Sequence, residues 1–216
     1  MRKFTRFLSF VSLAALLTLV LSSCGAVKLT YDNGRLVDAK NGITYLNAPV
    51  CFEPAVTEDE LYARCSKLKL DLYPVRGQDT SKWLSELYTG IGCIYYAEGA
   101  VTLPTLREFA PDSLTICVTQ TITVGLGVIT DQPTIDRLVA AIEDGEPCAI
   151  VQEGESYQLK FSSPAYEGIY YTLLYVEGTD GKNYVYDRSK QRCVSVGDVL
   201  LTYMPRSTGS SVASGS

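Results

Sequence analysis

Apolar and polar residues alternate with a period of two over much of the chain, which predicts β-strands whose two faces meet different surroundings. Near the start of the alternating part, Asn33-Gly34 and Asn41-Gly42 separate three short runs. Asn and Gly accept the positive φ that a tight hairpin turn requires. Residues 24–106 are therefore predicted to form a β-rich region that begins with a three-stranded antiparallel meander.

Three further elements of this region are predicted from local patterns. Thr57 and Glu60 have the spacing of a capping box, which predicts a short helical turn. Residues 67–73 alternate strictly and predict a half-buried strand, whereas residues 81–87 favour a short helix.

The period changes to that of an amphipathic helix in the second half of the chain. Apolar residues recur at spacings of three and four between Ile135 and Ile142, after Thr130 or Asp131 as N-cap and before a terminating Gly145. A β-rich run precedes this helix at residues 113–128. Four to five short strands follow it, at residues 148–152, 156–162, 168–177, 183–187 and 192–196.

These patterns predict an α+β fold that is rich in antiparallel β-structure. An N-terminal β-meander is followed by a strand–helix–antiparallel meander module, with the boundary near residue 107. The second module extends over residues 107–206. Residues 207–216 consist mainly of Ser and Gly and predict a disordered tail.

The first 25 residues have a different character. Arg2, Lys3 and Arg6 precede 15 uncharged residues, 7–21, and the sequence Leu-Ser-Ser-Cys then ends at Cys24. A helix of that length rises roughly 22 Å, which is less than the hydrocarbon core of about 30 Å. The segment therefore predicts a cleaved secretory signal rather than a permanent span.

Residues 1–25 resemble the lipobox signal peptides of bacterial lipoproteins. The resemblance implies that residues 1–23 are removed and that the Cys24 thiol receives a diacylglyceryl group. Two acyl chains hold a protein stably at a membrane, whereas one chain holds it only marginally. The expected location is the extracytoplasmic face of the cell membrane. A secreted protein with a chance cysteine and a short membrane anchor are the alternatives.

Composition narrows the classes of function. Without residues 1–23, which hold three basic and no acidic residues, the formal charge falls from −5 to −8, so we expect no nucleic-acid partner. The chain has no histidine, which excludes histidine-dependent catalysis within it. We expect no cofactor and no metal, because acidic groups such as Glu58–Glu60 and Glu143–Asp144 fit no EF-hand spacing. The six cysteines beyond Cys24 allow up to three disulfides, and zero to two are expected because Cys117 and Cys148 lie in apolar runs where a free cysteine behaves as a small hydrophobe.

Tyrosine is the most suggestive residue type, with 15 occurrences. Tyrosine combines apolar area with a hydrogen-bonding tip, which suits peptide or glycan recognition. Tyr170, Tyr184 and Tyr186 are predicted on strands and form the candidate binding surface; the alternative is that these rings simply fit a sheet. The function predicted is a non-catalytic binding module of the cell envelope, whose partner is an envelope protein, a peptide or a glycan. An envelope hydrolase or transferase using carboxylates, or Ser66 with Lys69 in an S-x-x-K pattern, is the alternative.

The lipobox predicts the covalent state of the mature protein. The full-length protein made in a bacterial host should begin at Cys24 and carry a diacylglyceryl group on its sulfur, as measured by intact-mass spectrometry. Cys24→Ala should abolish both the lipid modification and the cleavage at this site, so the mass should match the unmodified chain with residues 1–23 retained. Ser23→Ala, which keeps a small residue before the cut, should be processed normally. An intact Met1 or an unmodified thiol at Cys24 would contradict the prediction.

Overall fold

The computed structural model describes residues 25–87, 92–119, 122–151 and 153–204. The protein is mostly β, with 45% strand. The predicted β-rich character is confirmed, whereas the α+β assignment gives helix too much weight, because the described residues hold α-helices of only four and 13 residues. The predicted lipid anchor at Cys24 and the predicted tail at residues 207–216 lie outside the described residues.

The first half of the chain forms nine short strands among the described residues. In chain order they are β1 (Val27–Lys28), β2 (Thr30–Asp32), β3 (Arg35–Asp38), β4 (Ile43–Asn47), β5 (Phe52–Pro54), β6 (Ala63–Cys65), β7 (Leu70–Pro74), β8 (Trp83–Ser85) and β9 (Ile94–Ala97).

Eight of these strands build one nearly closed, barrel-like sheet in the order β1-β6-β7-β8-β9-β4-β3-β2. The β1–β6 pair is parallel and the other neighbours are antiparallel. Only Leu29 separates β1 from β2, so one chain segment supplies both edges of the sheet and brings them together. The interior is apolar and includes Leu29, Leu36, Tyr45, Leu72 and Leu84.

Among the described residues, the second half of the chain adds two α-helices, seven strands and a short 3₁₀ helix. In chain order they are α1 (Leu106–Phe109), β10 (Ser113–Thr119), β11 (Thr123–Ile129), α2 (Gln132–Asp144), β12 (Pro147–Cys148), β13 (Gly154–Ser162), the 3₁₀ helix Pro164–Tyr166, β14 (Ile169–Gly178), β15 (Asn183–Asp187) and β16 (Arg192–Ser195).

The seven strands form an antiparallel sheet in the order β11-β10-β13-β14-β15-β16-β12, called the second sheet below. Helix α2 covers one face of it, where Ile135 and Leu138 pack with Leu159, Phe161 and Tyr175. We call this the inner face, and the opposite one the outer face.

Strand β5 is not part of the barrel-like sheet and pairs instead with β14 of the second sheet. Phe52 and Trp83 thereby join the same hydrophobic core as Phe109 and Tyr171. A second contact lies at Gly168, where the left-handed φ of 78° is allowed for glycine and a Cβ would stand 2.5 Å from the carbonyl oxygen of Arg76. The two predicted regions therefore share one hydrophobic cluster, and the barrel has its own apolar interior beside it.

The predicted long helix is confirmed as α2. Asp131 caps it by accepting a hydrogen bond from the Thr134 amide, and Gly145 follows its last residue. The acids Glu143 and Asp144 are unfavourable for the helix dipole at this end. Glu143 has a partner outside the helix: its carboxylate accepts a hydrogen bond from the Leu106 amide at the start of α1, at 2.9 Å.

Two predictions of short helices were wrong. Residues 57–63 contain an isolated bridge at Thr57 and the first residue of β6, and residues 81–87 contain strand β8. Trp83, Leu84 and Ser85 are all buried between β7 and β9, so tertiary pairing overrides local helix propensity there. The strand predicted at residues 67–73 starts later, at Leu70.

A side chain from strand β16 binds the C-terminal end of helix α2. The Arg192 guanidinium donates to the carbonyl oxygens of Ile142 and Gly145, the latter at 2.6 Å. A cation at a helix C-terminus compensates the partial negative charge of the free carbonyls. Arg192 therefore fastens α2 to β16.

This contact predicts a selective loss of stability. Arg192→Met keeps most of the aliphatic stem but removes the charged donors, so the free energy of unfolding should fall by about 1.5–3 kcal/mol in urea titrations. Arg188→Met, at an exposed position in the turn before β16, should change it by less than about 0.5 kcal/mol. Equal effects of the two substitutions would contradict the role of Arg192.

Candidate functional site

The three tyrosines of the predicted binding surface share the outer face of the second sheet. Tyr186 lies opposite Leu174, and Tyr184 lies opposite Val176, on neighbouring strands β15 and β14. Tyr170 is on the same face of β14, four residues before Leu174. Since a strand rises about 3.3 Å per residue, Tyr170 lies roughly 13 Å from Tyr186 and roughly 20 Å from Tyr184 along the sheet.

Their hydroxyl groups are engaged to different degrees. Tyr184 is only 8% exposed, and its hydroxyl donates to Asp180 Oδ2 at 2.6 Å. This hydrogen bond, with burial, raises the pKa of Tyr184 to about 12. The Tyr186 hydroxyl donates to Gln191 Oε1 at 2.9 Å, and Tyr170 and Tyr186 are half-buried. On the predicted binding surface, only parts of the Tyr170 and Tyr186 rings are therefore accessible to a ligand, and the Tyr184 ring is covered.

A cleft opens where the outer face of the second sheet meets the barrel. Its volume is about 370 Å³. Strands β4, β5 and β9 border it on one side and β10, β11 and β13 on the other, with Arg188 reaching in from the turn between β15 and β16. We call it the inter-sheet cleft.

The two walls of the inter-sheet cleft differ in chemistry. The side formed by the barrel and β5 is mainly apolar: it presents Ala48, Val50, Phe52, Pro54 and Ile94. The side of the second sheet is polar: it presents Thr119, Thr123, Gln158 and Lys160. Such a cleft suits a ligand that has one apolar face and one hydrogen-bonding edge.

The hydroxyls and the amide of the polar wall form a linked group. Thr119 Oγ1 donates to Gln158 Oε1 at 3.1 Å and also lies 3.0 Å from Thr123 Oγ1. These three side chains come from three adjacent strands, so the backbone pairing of the sheet fixes their relative positions.

An ion pair lies in the floor of the inter-sheet cleft. Lys160 Nζ donates to Glu53 Oε2 at 2.8 Å, and the two side chains are only 5% and 22% exposed. The same ammonium group lies 5.4 Å from the centre of the Tyr170 ring, within range of a cation–π contact. Tyr170 is thus the predicted site residue that the structure brings next to the cleft.

Arg188 adds a second positive charge to the cleft. It is exposed, and it has no ion pair with a carboxylate among the residues that the structure describes. Lys160 and Arg188 against Glu53 leave one net positive charge in a protein whose formal charge is −5. A carboxylate on a ligand fits this local excess.

The thiols near the cleft are unsuited to nucleophilic chemistry. Burial, and next the Glu86 carboxylate, raise the pKa of Cys93. Burial also raises the pKa of Cys117 and of Cys51. A reactive cysteine needs the opposite shift, because the thiolate is the nucleophile.

The serine–lysine pattern lies in an exposed turn. Ser66 and Lys69 are the ends of an exposed turn between β6 and β7, in which the Lys69 amide donates to the Ser66 carbonyl and Lys69 has a φ of 54°. Their geometry therefore lends no support to a serine–lysine nucleophile.

The acidic groups noted in the sequence have structural partners. Glu58 pairs with Arg76 at 3.2 Å, and Asp144 pairs with Arg107 at 2.7 Å. In the described part of the chain, no three His, Cys, Asp or Glu side chains converge as metal ligands would. No helix within residues 25–204 that the structure describes is both long and apolar enough to span a bilayer.

Comparison with known proteins gives no relative: no family model matches the chain, and neither a curated protein nor a solved structure is significantly similar to it.

The sequence predicted the candidate binding surface of Tyr170, Tyr184 and Tyr186, but it did not predict the inter-sheet cleft. Glu53 and Lys160 are 107 positions apart and belong to different predicted regions. The one available signal was Lys160 itself, a lone charge within the apolar strand run from Tyr157 to Phe161. A buried lysine needs a partner, and the sequence does not say which carboxylate supplies it.

Proposed function

We propose that this chain is a lipid-anchored, extracytoplasmic binding protein of the bacterial envelope that acts without catalysis. Its ligand is a peptide segment of another envelope protein, held in the inter-sheet cleft. The apolar wall takes the aliphatic side of the segment, and Arg188 takes a carboxylate. A carboxylate-bearing glycan is the alternative ligand.

The observation that carries this proposal is the two-walled chemistry of the cleft. A wall of Val50 and Pro54 faces a wall of hydroxyl, amide and ammonium groups across about 370 Å³. Peptides present both kinds of surface on opposite sides of an extended backbone. Arg188 adds a planar guanidinium, which recognises carboxylates through two parallel hydrogen bonds.

The proposed anchor agrees with the start of the folded part. Strand β1 begins at Val27, three residues after Cys24. Three residues span at most about 11 Å, so a lipidated Cys24 would hold the barrel against the membrane surface. The cleft would then face partners that share the same envelope layer.

The absence of catalysis is proposed on chemical grounds. The chain has no histidine, and the pKa values of the thiols beside the cleft are shifted away from reactivity. The cleft carboxylate Glu53 already accepts a hydrogen bond from Lys160. Binding requires no change in the protonation of these groups, whereas acid–base catalysis requires a group that is free to exchange a proton with the substrate.

Site-specific photo-crosslinking in cells tests the proposal. A photoreactive residue in place of Val50, which is 59% exposed in the cleft wall, should crosslink to a discrete envelope protein at one peptide. Arg188→Ala should reduce that product about tenfold, since a charged hydrogen bond in a binding site contributes roughly 1.5 kcal/mol or more.

Two controls separate the cleft from the rest of the surface. A photoreactive residue in place of Leu201, 56% exposed and outside the cleft, should give no such product. Arg137→Ala should leave crosslinking from position 50 unchanged. Equal products from positions 50 and 201, or no effect of Arg188→Ala, would contradict the assignment of the cleft.

A further inference from the structure

Two cysteines lie directly opposite each other at the edge of the second sheet. In the antiparallel pair of β12 and β16, Cys148 is opposite Cys193 and Pro147 is opposite Val194. Such partners have Cα atoms about 4.5–5.5 Å apart and side chains on the same face. Disulfides join residues whose Cα atoms are about 4.4–6.8 Å apart, so the register meets this requirement.

The two thiols lie close to each other. Burial, and next the neighbouring Cys193 thiol, raise the pKa of Cys148. Both thiols point to the outer face, in the row of residues that also holds Tyr186, the partner of Cys193 on β15. Cys148 belongs to β12, a two-residue strand at the edge of the second sheet that pairs only with β16 among the described strands.

The two thiols differ in access to solvent. Cys148 is exposed, whereas Cys193 is 2% exposed and packs with Val176 and Tyr184 in a small apolar cluster. An oxidant therefore meets Cys148 first, and Cys193 is placed to resolve the product. The raised pKa of Cys148 slows this attack but leaves its end point unchanged, because the equilibrium depends on the reduction potentials of the two dithiol pairs.

The other cysteines of the described residues have different neighbours. Cys65 lies in the barrel interior, opposite Leu70. Cys117 lies opposite Gln158 and Gly125. Cys51 and Cys93 belong to segments that pair with no cysteine-bearing strand in register. The strand register thus singles out one pair.

We propose that Cys148 and Cys193 are a redox-modification site that forms a cross-strand disulfide by exchange with the disulfide of an extracytoplasmic thiol–disulfide oxidoreductase. The occurrence of this bond in the cell rests on the proposed location outside the cytoplasm. The pairing itself rests only on the fold.

The exchange proceeds in two balanced steps. The Cys148 thiol loses its proton, its sulfur attacks one sulfur of the oxidant's disulfide, and one oxidant thiol leaves. Cys193 then loses its proton and attacks the Cys148 sulfur, and the second oxidant thiol leaves. The two protein thiols are oxidised to one disulfide, and the oxidant's disulfide is reduced to two thiols.

The disulfide would fasten the segment after α2 to the sheet. It closes a loop that contains β13, β14 and β15, and such a closure lowers the entropy of the unfolded chain. It also holds Val151, three residues after Cys148, against the cluster that covers Tyr184. Oxidation therefore stabilises the fold and keeps Tyr184 covered.

Peptide mapping of the full-length protein in detergent tests the pairing. After equilibration with a mixture of reduced and oxidised glutathione and alkylation by iodoacetamide, the peptides of Cys148 and Cys193 should be recovered joined, two hydrogens lighter than the separate pair. The oxidised form should melt about 5–10 °C above the reduced form.

Matched variants keep the test independent of folding defects. Cys148→Ser, at an exposed position, should fold and lose the redox-dependent shift in melting temperature. Cys93→Ser should retain it. Alkylation of both Cys148 and Cys193 after treatment with oxidised glutathione would overturn the proposal. Oxidation in the purified protein, with both thiols reduced in protein alkylated inside cells, would uphold the pairing and count against the proposed location.

Discussion

The short strand β5 is the element on which the arrangement of the two sheets depends. Its residues Phe52–Pro54 pair with β14, and the Cys51 carbonyl just before them accepts a hydrogen bond from the Thr172 amide at 2.6 Å. Glu53 then meets Lys160, a side chain buried in the second sheet. Removing one partner of such a pair would leave a charge in a poorly solvated position, which costs about 3–5 kcal/mol. Backbone pairing and charge therefore fix β5 together.

The position of the inter-sheet cleft follows from that constraint, because β5 lines the cleft and also pairs with the second sheet. A period of two was enough to place Tyr184 and Tyr186 on one face of their strand, since alternation determines the faces of a strand, but adding Tyr170 to that face needed the register of β14 with β15. The period was not enough to predict their exposure. Tyr184 is covered because its hydroxyl bonds to Asp180, a residue of the turn before its strand. The cleft needs tertiary structure, which local patterns do not contain.

Elements with strong local signals were predicted well. Helix α2 has an N-cap at Asp131, an apolar stripe and a terminating glycine, all readable within fifteen residues. Strand β8 has no such signal, because Trp83–Ser85 is buried on both faces and shows no alternation. Closure of the barrel depends on the parallel β1–β6 pair, which joins Val27 to Ala63. Strands of a parallel pair are joined by a long connection, so no tight-turn sequence between them indicates the pairing.

Differential scanning calorimetry of the mature chain tests most directly whether β5 unites the two sheets. With one shared hydrophobic cluster, the protein should unfold in a single transition whose calorimetric and van't Hoff enthalpies agree. Two resolved transitions, or a calorimetric enthalpy well above the van't Hoff value, would contradict this account, because the barrel and the second sheet would then unfold as independent units.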